Sequence, residues 1–544
     1  MSRVFKALAE PANLLPLFSL ALLAAAYLPA LSAPFVWDDL GWILFNQALE
    51  APLGLSAYLS DDYFRLSGET SWRPLATAVY NGLTLLAGKE PWAFRLSSLL
   101  LHLLTAGLLY RLLLGSGFQK AAAGLACGLF LIHPAHAETL MCAAFNEELL
   151  VAVSVLAMLL FHRQGRRLWA AGCLALGLLA KETALAGLAL VLLDSWSREG
   201  KAGLKRCLAP AAVYAGAALL VLWFALFKLS APLSSAKAAV PGLDRLVFGL
   251  ESLVTFVRVQ VLPVGLRIEY FALPASSLDT AWLALFAALL LVAAARLMKQ
   301  LWQAPELKPL ALFLAWPFIF WLSFSGAVPA GVLSTRMMAE RWLYLPLMGS
   351  CALAGWSLQR RPKLAAAVLA VLATLMLGRV RDWTDERRLW SSLVRQYPWC
   401  AKAQQGLGDA QVRCKDHSAG LASYEEALRL REGRLDPVLS YYVPISGGHL
   451  DWQSPSLRRS LGAGLIRQGE LHKARTHLVK AVELDPSDPY AYRLLSYASC
   501  LRSEFKEGLE WAEKGLAQSP EDDILLRLAE ASKKKSLDFR LKLD

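Results

Sequence analysis

The sequence predicts an all-α protein in two parts, a polytopic membrane domain over residues 1–380 and a soluble helical domain over residues 381–544. The chain is 56% apolar and holds 18 tryptophans, which is too apolar for a soluble protein of 544 residues. Apolar runs of about 20 residues, the length that crosses a hydrocarbon core of roughly 30 Å, recur through the first part and then stop. This abrupt change predicts the domain boundary.

About eleven membrane spans are predicted. The first runs from about Leu14 to Ala33 behind Arg3 and Lys6, and it is longer than a cleaved secretory signal, so we interpret it as a signal-anchor with a cytoplasmic N-terminus. An amphipathic segment from about 243 to 263 is predicted to lie as a helix in the outer interface. The other spans are predicted near residues 92–114, 119–132, 146–162, 168–180, 183–194, 208–228, 279–297, 309–327, 342–358 and 363–379.

The net charge of +12 is explained by topology. Every predicted cytoplasmic loop is basic, as the positive-inside rule requires, and the basic residues form no single patch, so no nucleic-acid partner is predicted. An odd number of spans also puts the soluble domain outside the cytoplasm. The loops carry Arg111 and Lys120; Arg163, Arg166 and Arg167; Arg198, Lys201, Lys205 and Arg206; Arg296, Lys299 and Lys308; and Arg360, Arg361 and Lys363.

The soluble domain contains an internal repeat. Pro455 and Pro489 are 34 residues apart, as are Pro486 and Pro520, and this period with its helix–turn–helix pattern is typical of tetratricopeptide repeats. Such an array presents a groove for extended peptide, although a purely structural role in an oligomer remains an alternative. We predict repeats at about 398–432, 454–486 and 487–520, an insertion at 433–453, and a capping helix at 521–534.

Asp38 and Asp39 directly follow the first span, in the long extracytoplasmic loop 34–91. Ionised carboxylates at the mouth of a span are disfavoured by the nearby hydrocarbon, which indicates a use for them. One interpretation is a general base for a reaction at the membrane surface. The alternative is that the pair caps a helix and marks the water interface.

Further polar clusters fall on the same predicted face. Each has a structural alternative: His133, His136 and Glu138 are either metal ligands or ordinary hydrogen-bonding groups, and the adjacent pairs Lys181–Glu182 and Glu340–Arg341 could simply neutralise each other. Their common depth is what favours a site. The clusters are Ser71 to Pro74 with Arg73, His133 to Glu138 followed by Asn146-Glu147-Glu148, Lys181-Glu182, and Arg336 with Glu340 to Pro346.

A lipid-phosphate-linked sugar would use this combination of groups. Its phosphate needs Arg or Lys at headgroup level, its lipid tail needs an apolar groove, and the acceptor hydroxyl needs a carboxylate base. A phosphate leaving group stabilised by cations requires no general acid. The residues therefore predict inverting glycosyl transfer.

These motifs, in this order, resemble the transmembrane and tetratricopeptide-repeat O-mannosyltransferases of the GT-C superfamily. The resemblance covers nearly the whole chain and includes Arg381-Asp382-Trp383 and Trp390. The repeat array is shorter than in the eukaryotic members, and Asn146-Glu147-Glu148 stands where they carry Gly-Arg-Ala-Glu/Asp, which favours a bacterial homologue in the inner membrane with a periplasmic repeat domain.

The resemblance implies a polyprenyl- or dolichyl-phosphate sugar donor, commonly mannose, and Ser or Thr of a protein acceptor held by the repeats. It implies Asp39, or else Asp38, as catalytic base and Glu138 as a second carboxylate. A divalent metal is left open. Donor-phosphate binding is assigned to Lys181, Arg341, Arg73, Tyr344 and Arg336, and contact with sugar, acceptor or a metal to His133, His136, Glu182 and Glu340.

Two other classes of function compete with the enzyme. A flippase of lipid-linked intermediates should carry its functional charges near the bilayer midplane in broken helices, whereas these cluster at one interface. A membrane-anchored scaffold for envelope proteins would not need about eleven spans. We therefore expect a glycosyltransferase.

Overall fold

The computed structural model describes residues 11–67, 72–227, 242–271, 277–304, 307–323, 325, 336–435 and 454–541. It divides into two compact units, Met1–Asp385 and Glu386–Asp544. The described residues are helical apart from loops and one two-stranded sheet, which confirms the all-α class. Ser71 and most of the predicted insertion at 433–453 lie outside the described residues.

The described residues of the first half of the membrane unit form ten α-helices. They are α1 (Pro11–Tyr27), α2 (Leu55–Tyr58), α3 (Asp62–Ser67), α4 (Pro74–Ala87), α5 (Pro91–Gly115), α6 (Lys120–Leu131), α7 (His136–Met141), α8 (Asn146–Arg163), α9 (Arg167–Ala180) and α10 (Ala186–Phe227). Short 3₁₀ or π turns connect several of them, at Leu40–Leu44, Gln47–Glu50, Ala143–Phe145 and Glu182–Leu185. α10 is interrupted at Gly200, whose φ of 64° is non-helical, so two predicted spans correspond to its two halves.

In the second half of this unit, the part of the chain that the structure describes forms five α-helices, the two-stranded sheet and one 3₁₀ turn. They are α11 (Gly242–Val261), β1 (Tyr270–Phe271), α12 (Ser277–Gln303), α13 (Lys308–Leu322), β2 (Arg336–Met338), the 3₁₀ turn Glu340–Leu343, α14 (Pro346–Leu358) and α15 (Pro362–Asp382). The two strands pair antiparallel, with Tyr270 opposite Met338. α11 occupies the segment predicted as an interfacial helix.

Five helical segments among the described residues are long and apolar enough to cross a membrane: Pro91–Gly115, Ala143–Arg163, Glu182–Ala225, Ala281–Gln303 and Pro362–Asp382. Four shorter apolar helices accompany them, at Leu17–Tyr27, Lys120–Leu131, Arg167–Ala180 and Lys308–Leu322. A multi-pass membrane domain follows from these helices. The count of eleven stays a prediction.

Close packing of α6 against α14 is permitted by Gly355. A Cβ at this position would lie 2.6 Å from both the Ala122 carbonyl oxygen and the Ala126 amide nitrogen of α6, so no larger residue fits without moving a helix. The chain leaves α6 towards His133–Glu138 and enters α14 from Glu340–Tyr344. This contact therefore brings two of the predicted motifs together.

The second unit is a series of antiparallel helix pairs. Its helices are α16 (Glu386–Gln396), α17 (Ala401–Arg413), α18 (His417–Glu432), α19 (Pro455–Arg467), α20 (Leu471–Leu484), α21 (Pro489–Leu501), α22 (Phe505–Gln518) and α23 (Asp523–Lys534). Side chains of Ser454, Asp488 and Asp522, which are spaced by 34 residues, cap α19, α21 and α23.

The same period recurs in the contacts between repeats. Arg459 of α19 forms an ion pair with the Asp488 cap of the next unit, and Arg493 of α21 does so with Asp522, with Nε–Oδ2 at 2.7 Å. The capping residue of one repeat is thereby tied to the first helix of the repeat before it. α23 occupies the first-helix position of a further unit.

We predict that Asp522→Ala destabilises α23 much more than Asp416→Ala destabilises α18. Asp522 is buried, accepts hydrogen bonds from the amides of Ile524 and Leu525, and pairs with Arg493. Asp416 is an exposed cap with one backbone amide, and its loss should cost about 0.5–1 kcal/mol.

Hydrogen–deuterium exchange of the full-length protein in detergent measures this difference. Amides of α23 should exchange about tenfold faster or more in Asp522→Ala, whereas the amides of α18 change less in Asp416→Ala. Equal acceleration in the two variants would contradict the inter-repeat role of Asp522.

Candidate active site

Asp39 lies at the end of the turn that follows α1, and its side chain is fully buried. The Ala144 amide donates a hydrogen bond to Oδ1 at 2.8 Å, and the Cys142 thiol donates to the same oxygen at 3.4 Å. Oδ2 has no hydrogen-bond partner among the described residues. One carboxylate oxygen is therefore fixed, and the other is a buried acceptor without a hydrogen-bond partner in the described part of the chain.

Burial raises the pKa of Asp39 to about 7, because the protein replaces the water that would solvate the ionised form. The nearby positive charge of Arg95 and the Ala144 hydrogen bond act in the opposite direction. A carboxyl with a pKa close to neutrality is suited to accept a proton at physiological pH.

Trp37 connects the aspartate pair to Arg341. Its backbone has φ of 53°, a left-handed conformation that costs a bulky residue about 1–3 kcal/mol. The guanidinium of Arg341 lies 5.4 Å from the Trp37 ring and 4.3 Å from the Phe145 ring. Asp38, which is partly buried, interacts electrostatically with Arg341.

Glu138 is fully buried and contacts Arg341 through both carboxylate oxygens. The Arg341 amide donates to Oε2 at 2.8 Å, and its guanidinium donates to Oε1. Burial raises the pKa of Glu138, while Arg341 opposes this effect. Two predicted site residues separated by about two hundred positions in the chain thus form one ion pair.

Glu340 pairs with Arg379 of α15 rather than with its neighbour Arg341, so the structural alternative of an ion pair between the two neighbours does not hold. Arg379 Nε and Nη2 lie 3.1 and 3.0 Å from Glu340 Oε2, and Tyr270 donates to Oε1 at 3.4 Å. Adjacent residues in a 3₁₀ turn diverge, so each side chain finds its partner on another element.

Lys181 likewise does not pair with its neighbour Glu182, which is exposed. Its ammonium lies 2.8 Å from Glu147 Oε1 and 2.6 Å from Glu148 Oε1, both at the start of α8. Arg73 donates to Glu147 Oε2 at 2.7 Å. The result is a buried chain of alternating charges, which keeps both cations at fixed positions.

His133 and His136 lie in an aromatic cluster with Phe130 and Tyr344. His133 Nε2 lies 3.3 Å from the Gln260 carbonyl oxygen, and burial lowers the pKa of His133 to about 4. Burial holds the pKa of His136 well below its usual value, and its ring packs against Phe130 and Tyr344. Tyr344 is fully buried and hydrogen-bonds His102 Nδ1 at 2.8 Å.

Within the described residues, no group of three or more His, Cys, Asp and Glu side chains is arranged to hold a metal ion. Of the predicted ligand set, Glu138 points to Arg341 rather than to the two histidines. Arg336, another predicted phosphate ligand, is the first residue of β2, and its side chain is outside the described part of the structure.

Sequence reasoning missed four groups that contribute to the site: Arg95, His102, Arg379 and the Glu147–Glu148 pair as partners of Lys181. A signal was present for two of them. Arg95 and Arg379 are cations within long, mostly apolar helices, where a charge is costly and indicates a buried partner.

The chain is similar to curated protein O-mannosyl-transferases, which confirms the predicted resemblance. Tmtc1 of Drosophila melanogaster is 31% identical over 185 residues, which cover 31% of this chain and 21% of that protein. Human TMTC2 is 34% identical over 130 residues, covering 22% and 15%. Drosophila Tmtc2 is 27% identical over 277 residues, covering 46% and 29%. The matched segments thus span less than a third of each relative.

No family model matches the chain. A search of solved structures found the crystal structure of the APC/C hetero-tetramer Cut9–Hcn1, with 12% identity over 87% of this chain and 91% of that one. Its TM-score of 0.25 is too low to bear on fold or function.

We predict that Arg379→Leu strongly destabilises the membrane unit, because it leaves the Glu340 carboxylate buried without its charge partner. Breaking one side of a buried pair typically costs about 3–5 kcal/mol. The double variant Arg379→Leu/Glu340→Gln should recover much of the loss, as measured by the thermal unfolding midpoint in detergent. No recovery in the double variant would contradict the pairing.

Proposed function

We propose that this protein is a membrane glycosyltransferase that moves a mannosyl or other hexosyl group from a polyprenyl-phosphate carrier to a protein hydroxyl on the extracytoplasmic face. The similarity to protein O-mannosyl-transferases supports the reaction class. The membrane helices support a lipid-linked donor, since such a donor reaches the protein from the bilayer.

The observation that carries this proposal is the environment of Asp39. Its Oδ1 is held by Ala144 and Cys142, while the buried Oδ2 has no partner among the described residues. Leaving a buried acceptor unsatisfied is costly, so a group that occupies it in the working enzyme is expected. A Ser or Thr hydroxyl of the acceptor would satisfy Oδ2 as a donor.

In the proposed reaction, the acceptor oxygen attacks the anomeric carbon while its proton passes to Asp39 Oδ2. The bond between the anomeric carbon and the phosphate oxygen breaks, and the polyprenyl phosphate leaves with the bonding electrons. Attack from the face opposite the leaving group inverts the anomeric configuration. No general acid is needed, because phosphate is stabilised by cations.

The cations for the phosphate are Lys181, Arg341 and Arg73. Their carboxylate partners do not exclude this role. Two of the three Lys181 ammonium hydrogens are used by Glu147 and Glu148, and one of the five guanidinium hydrogens of Arg341 by Glu138, within the described residues. The carboxylates hold the cations in place before the donor arrives, which reduces the reorganisation that binding requires.

The unit Glu386–Asp544 is proposed to hold an extended segment of the acceptor protein. Arrays of helix pairs bury their apolar faces between neighbours and leave a continuous surface for peptide. A periplasmic location of this unit, with the catalytic loop on the same side, is part of the proposal and follows from the predicted topology.

We predict that Asp39→Asn lowers the transfer rate by about 10²–10⁴-fold, the usual contribution of a general base. The amide is isosteric and keeps an oxygen for the Ala144 amide, so folding and donor binding should change little. The assay follows radiolabelled mannose from polyprenyl-phosphate mannose to a Ser/Thr peptide in nanodiscs. Asp38→Asn is the matched control and should retain most of the activity, because Asp38 is only partly buried.

If Asp39→Asn turned over at the wild-type rate, the base assignment would be wrong. Loss of activity in Asp38→Asn alone would transfer the role to that residue.

We also predict that Arg341→Lys weakens donor binding, measured by native mass spectrometry or by titration with polyprenyl-phosphate mannose. Lysine keeps the charge next to Glu138 but loses the planar, bidentate geometry that suits phosphate. Lys89→Ala removes a cation that bonds Glu50 and the Leu44 carbonyl, away from the predicted phosphate ligands, and it should leave donor affinity unchanged. Unchanged affinity in Arg341→Lys and in Lys181→Ala would remove the phosphate-binding assignment.

A further inference from the structure

Arg95 lies in the second turn of α5, and its side chain is almost completely buried although the helix is apolar. A guanidinium in this position is costly unless every donor is used. Its bonds reach two separate segments, and both of them border Asp39.

The first segment is the chain that leads from α1 into the aspartate pair. Nη1 donates to the carbonyl oxygens of Ala30 at 3.3 Å, Leu31 at 3.1 Å and Ala33, and Nη2 donates to Pro34 at 2.6 Å. One side chain therefore binds four carbonyls of the segment between α1 and Phe35, and among these four the Ala30 carbonyl also accepts the Ala33 amide.

The second segment, Met141 to Ala144, supplies the hydrogen bonds to the Asp39 carboxylate, and we call it the cradle of Asp39. Arg95 Nε donates to the Met141 carbonyl oxygen at 3.0 Å. Met141 precedes Cys142, which with Ala144 supplies the two hydrogen bonds to Oδ1. Arg95 thus binds both the segment that leads to Asp39 and the segment that donates hydrogen bonds to its carboxylate, which fixes the position of one segment relative to the other.

Arg95 also contributes charge. The groups that act on Asp39 are Arg95 from α5, Cys142 and the Ala144 amide from the segment after α7, and the neighbouring Asp38. Arg95 is the one full positive charge in this set, and the effect of Asp38 has the opposite sign.

We propose that Arg95 is the positioning residue of the catalytic carboxylate, joining the loop of Asp39 to its cradle and stabilising its ionised form. This inference rests on the proposed role of Asp39 as base. Arg95 does not touch the substrate; it acts through Asp39.

Two variants separate the two contributions in the full-length protein in nanodiscs. Arg95→Gln removes the charge and most of the bonds, so the pH at which transfer is half-maximal should lie about one unit or more above that of the wild-type protein, because the ionised form of Asp39 loses its positive neighbour. Arg95→Lys keeps the charge, so its midpoint should stay near the wild-type value while the rate falls, because one ammonium cannot span both segments.

The matched control is Arg163→Gln. Arg163 is also a buried cation at a helix end, but it pairs with Asp194 and bonds the Leu112 carbonyl and Ser116. Its loss should lower thermal stability and leave the pH midpoint unchanged. This control separates general destabilisation from an effect on Asp39.

A second readout does not require activity. The infrared carboxyl band that disappears in Asp39→Asn reports protonation of Asp39 directly, and its midpoint should move upward in Arg95→Gln. An unshifted band in a folded Arg95→Gln protein would overturn the positioning role. If the band moves in Arg95→Gln although the wild-type protein transfers no sugar, the role of Arg95 is upheld and the proposed function is refuted.

Discussion

Pairing of buried charges is the constraint on which the membrane unit depends. Removing an ion from water costs several kcal/mol, so each charge in the unit needs a partner at a defined position. Glu138 with Arg341 joins α7 to the turn before α14, and Glu340 with Arg379 joins that same turn to α15. Helices that are apolar along most of their surface have many acceptable packings, and these pairs select one of them.

Asp39 departs from this pattern. One oxygen is satisfied by Ala144 and Cys142, and the other has no partner among the described residues. The strained backbone of Trp37, immediately before the pair, adds a second local cost. Unfavourable features of this kind persist when the surrounding structure enforces them, and the bonds of Arg95 to both adjoining segments provide that enforcement.

The second unit is stabilised by a different principle. Its contacts are mostly between helices that are neighbours in sequence. The capping residues Asp488 and Asp522 recur at the 34-residue repeat period, and Arg459 and Arg493 tie them to the preceding repeat. A protein of this design combines a membrane unit held by long-range pairs with a solenoid held by local ones.

Local information in the sequence determined the helices, the repeat period, and the identities of Asp39, Glu138, Lys181 and Arg341 as polar groups in an apolar setting, because hydrophobic periodicity and capping act over a few residues. Only the tertiary structure decided the partners. Lys181 and Glu340 pair with distant residues rather than with their neighbours, since side chains adjacent in sequence diverge and pairing depends on helix packing. The contacts of Arg95 could not be predicted either, because they are made to backbone carbonyls. Every residue carries a backbone carbonyl, so no sequence pattern marks these acceptors.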